Sequence, residues 1–195
     1  MKLKLIALSL VLSAASSSAF AALDGGQLNF AGLVSDNTCT PHVNGGSQDG
    51  QVQLNTAVSA DITAGVSATA PGVQPEPFYI TVDCGANSAN KSAKLSMAST
   101  FFSNNNGTLN NDDSITSPAT GVNLAIHQVD NSGANLTYDQ VKVNDPSDIQ
   151  TATMTTGIAK FNFVVSYVKE SNAVPVTSGY VKSKRCLYNH LRVIN

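Results

Sequence analysis

The side chains of this chain that could do chemistry are few, and their spacing narrows what they can do. The cysteines are Cys39, Cys84 and Cys186 and the histidines His42, His127 and His190. None falls in a Cys-x-x-Cys or His-x-x-x-His arrangement, so the spacings that hold a metal ion are absent. The chemistry left to cysteine is a disulfide, with Cys39 and Cys84 as the natural pair and Cys186 the odd one over. Closing that loop removes denatured-state entropy worth about 4 kcal/mol on the chain-entropy model, and the bridge implies an oxidising compartment such as a bacterial periplasm. There is no Gly-x-Ser-x-Gly elbow, and the glycine-rich places lack the Lys-Ser/Thr of a phosphate loop. Asp112-Asp113 could suggest acid/base carboxylates or calcium, but its Asn-rich neighbours and the lack of a Glu partner read as a solvated turn. His127 lies on the strand parity opposite Val122, Leu124 and Ile126, where an exposed side chain is expected rather than a ligand. No catalytic residue, cofactor or metal is expected, and the chain does not read as an enzyme.

The elements that would position these residues are strands. Phe161, Phe163, Val165 and Tyr167 alternate on one face of a strand, and Val164 and Val168 give its other face apolar character, so both faces are expected to meet protein. Val174 to Val181 is a second extended segment, expected to pair with the first. Phe78, Ile80, Val82 and Cys84 alternate along a core strand that carries one half of the bridge. Leu95 and Met97 mark another strand, Gln51 to Leu54 a short one, and Val122, Leu124 and Ile126 a further one. The turn Asp130-Asn131-Ser132-Gly133 and a return strand over Leu136 to Val143 follow it. Residues 55–77 read as a long surface connection in which Pro71, Pro75 and Pro77 forbid a helix, and Ser103 to Asp113 reads as loop. No segment sustains a period of 3.6, so the fold class is all-β, with strands spaced as in a sandwich.

Composition bounds the partners. Charged residues make up 12 % of the chain, about half the usual ~25 %. A formal net charge of -2, with no basic cluster before residue 182, argues against nucleic acid, whose binding rests on neutralising phosphates. Met1-Lys2-Leu3-Lys4, the apolar Leu5 to Leu12 and the small residues ending Ala19-Phe20-Ala21 read as a secretory signal over residues 1–21. A hydrophobic anchor within it is the competing reading, but no charged flank follows the core. That core is far shorter than the roughly 20 residues of a spanning helix, so no membrane insertion is expected. Cleavage after Ala21 leaves residues 22–195, which fit one domain.

Five stretches in this order resemble chaperone-usher fimbrial subunits, the type 1-like pilins of Gram-negative bacteria. They are Gly25-Gly26-Gln27-Leu28-Asn29-Phe30-Ala31-Gly32 ahead of Cys39, Phe78 to Cys84, Thr120 to Ile126, Phe163 to Tyr167, and Val176-Thr177-Ser178-Gly179. The resemblance implies an incomplete immunoglobulin-like β-sandwich lacking its last strand, which leaves an apolar groove. It implies a periplasmic pilus chaperone that lends a strand, an outer-membrane usher, and neighbouring pilin subunits whose N-terminal arms replace the chaperone's strand. By position, residues 22–34 would be the donor-strand arm running into the first strand, with Gly26, Leu28 and Phe30 entering a neighbour's groove. The plainer reading keeps these residues as the domain's own first strand. Only Ala22 to Asp24 precede the glycine pair, which leaves the donor register open. Residues 35–195 would be the pilin domain, its acceptor groove lined by Phe161, Phe163, Val165 or Tyr167, which could equally be ordinary core. The expected function is a structural subunit of a fimbrium that polymerises by donor-strand exchange and contributes to cell adhesion. It would be exported through the periplasm to the extracellular face. The alternative is a single-domain adhesin or tip subunit that binds host glycans, although an adhesin usually adds a second domain and no residues remain for one.

The end of the chain departs from this pattern. The resemblance implies an alternating last strand that ends near an aromatic residue, but in residues 184–195 Arg185, Asn189 and Asn195 share parity with Leu187, Leu191 and Val193. Read one nucleotide later in each codon, the same stretch can spell Asn-Ala-Val-Phe-Thr-Ile-Thr-Tyr-Glu followed by a stop. The tail therefore reads as a frameshift product with Cys186 as a by-product, and a divergent native tail is the alternative. Chaperone capture and export of this chain are expected to be poor, because a moved carboxylate and Lys184, Arg185 and Arg192 disturb the strand that borders the groove.

Overall fold

The structure, a computed structural model, describes residues 39–86, 90–99, 102–183 and 187–194. Nine strands are described: β1 (Thr40–Val43), β2 (Val73–Asp83), β3 (Ser92–Ala98), β4 (Leu109–Asn110), β5 (Val122–Asp130), β6 (Thr137–Val141), β7 (Gln150–Thr153), β8 (Ile158–Lys169) and β9 (Leu187–Ile194). The helical element among them is a single turn, Ser59–Asp61. One sheet runs β1-β2-β8-β5-β4 with β6 also on β5, the other runs β7-β3-β9, and every registered pair of strands is antiparallel. This is the all-β sandwich expected of an immunoglobulin-like domain.

The period of two decides what fills the space between the sheets. On β8, Phe161 and Phe163 stand opposite Ile80 and Phe78 of β2, and Val165 and Tyr167 stand opposite Ile126 and Leu124 of β5. Directly opposed residues share a face, so these side chains form one apolar surface. The second sheet answers it with Ala93, Leu95 and Met97, at most 3 % exposed. The Phe163 ring stacks on Phe78 at 5.3 Å and on Phe161 at 6.3 Å between centroids, separations at which aromatic pairs add to simple burial.

The outer face of the first sheet is also covered, and by an element that the sequence disguises. Residues 62–72 cross it without regular structure and are tied down at intervals. Lys169 N–H donates to Ala64 O and Gln140 N–H to Ala68 O, both at 2.8 Å, and Gly72 N–H donates to the Ser166 hydroxyl at 2.8 Å. This strap corrects the expectation for His127, which is fully buried. Its Nε2 lies 2.7 Å from Ser67 O; a carbonyl can only accept, so Nε2 carries the proton, and Nδ1 has no partner. Parity placed His127 correctly on the outer face; that face is simply not wet.

Four other expectations change. Val174 to Val181 does not pair with β8, because β2 and β5 occupy both edges of that strand. It runs beside residues 117–120 instead, through Ala119 N–H to Tyr180 O, Tyr180 N–H to Ser117 O and Thr177 N–H to Thr120 O. The asparagine-rich loop contains a short strand: Leu109 is buried and pairs with Leu124, while Asn104 Nδ2 donates to Thr108 Oγ1 and Asn110 Oδ1, each at 2.7 Å. Gln51 to Leu54 joins no strand among the described residues, although Val52 and Leu54 pack against the core. β2 starts earlier than Phe78 and takes in Pro75 and Pro77. The prolines are tolerated because β1 pairs only with Ile80 to Asp83, which leaves the first half of β2 an edge on that side.

Candidate functional site: an apolar groove beside a free strand edge

A groove of about 740 Å³ opens between the two sheets. Its floor is the inward face of the first sheet, with Phe78 and Ile80 from β2, Val165 from β8, and Leu124 and Ile126 from β5. Met97 of β3 and Leu109 of β4 close its sides, and Val43, Val52 and Leu54 form a further wall. Polar groups reach it from two places, Gln48 to Gln51 and Lys182-Ser183. The Ser183 hydroxyl oxygen is buried there with no hydrogen-bond partner.

Two segments are left outside the strand ladders on one side or both among the described residues. β9 pairs with β3 on one side, and no described strand pairs with its other side. Residues 51–57 form no ladder with a described strand. A strand edge left open presents a row of N–H and C=O groups that another segment can pair with. The floor extends from Ile80, opposite Phe161, to Leu124, opposite Tyr167. That distance is six steps along β8, about 20 Å at ~3.3 Å per residue, which suits one extended segment of about six or seven residues.

Of the four residues expected to line the acceptor groove, the structure puts Val165 on its floor. Phe161 and Phe163 share its face of β8 but are sealed in the core at 0 and 1 % exposure. Tyr167 is buried and donates its hydroxyl to Asn55 O at 3.1 Å; burial first, and the Glu76 carboxylate second, push that hydroxyl above the ordinary tyrosine range. The lining residues not singled out for the groove, such as Ile126, Met97 and Leu109, carry a period-two signal or a lone apolar letter in a polar loop. Their strand partners, not their types, bring them together. Gly26, Leu28 and Phe30 lie outside the described residues, as does Cys186. The bridge between Cys39 and Cys84 is formed, with Cα atoms 4.1 Å apart, and joins the start of β1 to the end of β2. Among the described residues no cluster of His, Cys, Asp and Glu could hold a metal ion, and no helix is long and apolar enough to cross a membrane.

The class these features define is an immunoglobulin-like β-sandwich with an apolar groove between its sheets and, among the described residues, no strand paired to the second side of β9. A family model described as fimbrial protein matches residues 28–184, most of the chain, and the chain belongs to that family, consistent with a subunit of the chaperone-usher type. The family is structural and non-enzymatic, and its members associate with other pilin subunits in a surface pilus. No match is found among curated proteins.

Proposed function

We propose that this chain is a structural fimbrial subunit that polymerises by donor-strand exchange, taking into its groove the N-terminal arm of the next subunit. The observation that carries the reading is an apolar groove between the sheets together with a side of β9 that, among the described residues, no strand pairs. Main-chain groups of the incoming segment bond to that edge and to residues 51–57, each bond contributing about 1 kcal/mol net. Alternate side chains of the segment turn onto the floor, where each large apolar one contributes ~1.5–3 kcal/mol by leaving water. Leu28 and Phe30 are the donor groups and Gly26 the small residue between the arm's polar start and these anchors. Before assembly a periplasmic chaperone covers the groove, an outer-membrane usher exchanges it for the arm, and the filament so built contributes to cell adhesion.

The test is assembly of the full chain. Leu28→Asp with Phe30→Asp places carboxylates where the floor is apolar, so filaments and mixed oligomers should disappear while the monomer's melting temperature is unchanged. Oligomers of normal length from the double variant would remove the arm from the mechanism.

A further inference from the structure

β9 supplies the edge on which the proposed strand uptake rests, and its ladder with β3 is irregular at one place. Tyr188 stands opposite Met97 and Asn189 opposite Ser96, yet the next registered pair is Arg192 with Lys94, so β9 takes three steps where β3 takes two. Without that extra residue, His190 and Arg192 would stand opposite Leu95 and Ala93, which are 0 and 1 % exposed. An unpaired charge at such a position is costly, and a one-residue bulge absorbs a mismatch of this kind. A second break falls nearby: the family match ends at residue 184, three positions before β9 begins.

The genetic code connects the two breaks. If Tyr188-Asn189-His190-Leu191 is read one nucleotide later in each codon, its three junctions specify only isoleucine or threonine, whichever synonymous codons are used. Three β-branched residues in a row favour a strand. The same reading permits phenylalanine at position 187, tyrosine at 191, glutamate at 192 and then a stop. A ladder slid by one residue sets the aromatic residue at 187, the β-branched one at 189 and the aromatic one at 191 opposite Met97, Leu95 and Ala93, with no bulge. Those are the three buried residues that β3 turns to the core.

We propose that residues 184–195 are the out-of-frame product of one inserted nucleotide near codon 184, and that the subunit's own groove-edge strand is this alternating segment ending at position 192. Lys184, Arg185, Cys186 and Arg192 then have no part in the native groove. The proposal takes the role of β9 from the function proposed above.

Sequencing the gene through codons 184–194 is the first arm of the test. Deleting one nucleotide near codon 184 is expected to spell the alternating ending and its stop; a codon run that cannot do so overturns the proposal. The second arm compares the full chain as it stands with one whose residues 184–195 are replaced by the shifted-frame ending. The replaced chain should melt ~5 °C or more higher and bind a synthetic peptide of residues 22–34 at least ~10-fold tighter, which corresponds to ~1.4 kcal/mol. Equal melting and equal binding in the two chains overturn the proposal. If the replaced chain melts higher but neither chain binds the peptide, the tail assignment stands and strand uptake fails.

Discussion

Ile126 and Val165 stand directly opposite each other on β5 and β8 and together make the middle of the groove floor, 3 and 6 % exposed. Their position separates the fold from its proposed work, because a larger side chain here projects into open groove rather than into packed core. Val165→Phe should leave the domain folded, at a cost of no more than ~1–3 kcal/mol from overpacking. It should weaken capture of the residue 22–34 peptide by at least ~10-fold, read by fluorescence anisotropy. Unchanged capture would place the segment elsewhere.

Asn144 extends the β3 edge with its side chain. Its Oδ1 accepts Ser99 N–H and its Nδ2 donates to Ser99 O, both at 2.8 Å, from a backbone at φ 68°. Asn144→Gly keeps the left-handed backbone and loses these two bonds and a third from Nδ2 to the Ser103 hydroxyl, about 1–3 kcal/mol. Asn144→Ala also forces a Cβ into that conformation, adding about 1 kcal/mol or more. Urea melts of the two variants should therefore rank glycine above alanine.

Gly157, at φ 84°, turns the chain into β8 so closely that a Cβ would run into the Gly85 carbonyl, and its own carbonyl accepts Cys84 N–H at 2.9 Å. Gly157→Ala should destabilise the domain by more than ~3 kcal/mol, through backbone strain and displacement of the disulfide-bearing end of β2. Replacing Cys39 and Cys84 together by serine tests the bridge itself, with an expected loss of about 4 kcal/mol for a loop of this length. Equal denaturation midpoints for the double variant and the parent would contradict it.

Stability should depend on acid in two opposing ways. Burial pushes the Asp148 carboxyl above its ordinary range, against the Lys142 N–H that donates to it. A raised folded value means that the folded state binds the proton more tightly, so stability rises as pH falls from 7 through the Asp148 range. Asp130 is held low by the Ser132 N–H and hydroxyl, and Asp145 by the Ser147 hydroxyl and N–H. Their contributions are fully present above the ordinary carboxylate value, about 3.9, and are lost as pH falls through their lowered values. A melting profile against pH should thus show a shallow rise toward mild acid and a fall in strong acid. Asp148→Asn should abolish the rise alone.

Much of the fold was legible because period two is written plainly in Phe78 to Cys84, Val122 to Ile126 and Phe161 to Tyr167, and because Cys39 and Cys84 form the bridge their places suggest. Strand order was not. Val174 to Val181 has the composition of a strand, and only the occupied edges of β8 explain why it pairs elsewhere. His127 was misread because alternation assigns a face but does not say what covers it; a strap of small uncharged residues, Thr63 to Gly72, leaves no periodic trace. The groove was half legible: alternation along β8 gives Val165 an inward face, whereas Met97 and Leu109 reach the groove through pairings between distant segments.

The central claim is that the sandwich lacks one strand and takes it from another molecule. The most direct measurement is the melting temperature of the full chain carrying the shifted-frame ending, with and without an excess of the residue 22–34 peptide. Tight uptake should raise it by about 8–16 °C, since saturation at ~1,000 times the dissociation constant contributes ~4 kcal/mol and each kcal/mol is worth ~2–4 °C in a domain of this size. A monomer whose melting is the same with and without the peptide would show a closed fold and contradict the account.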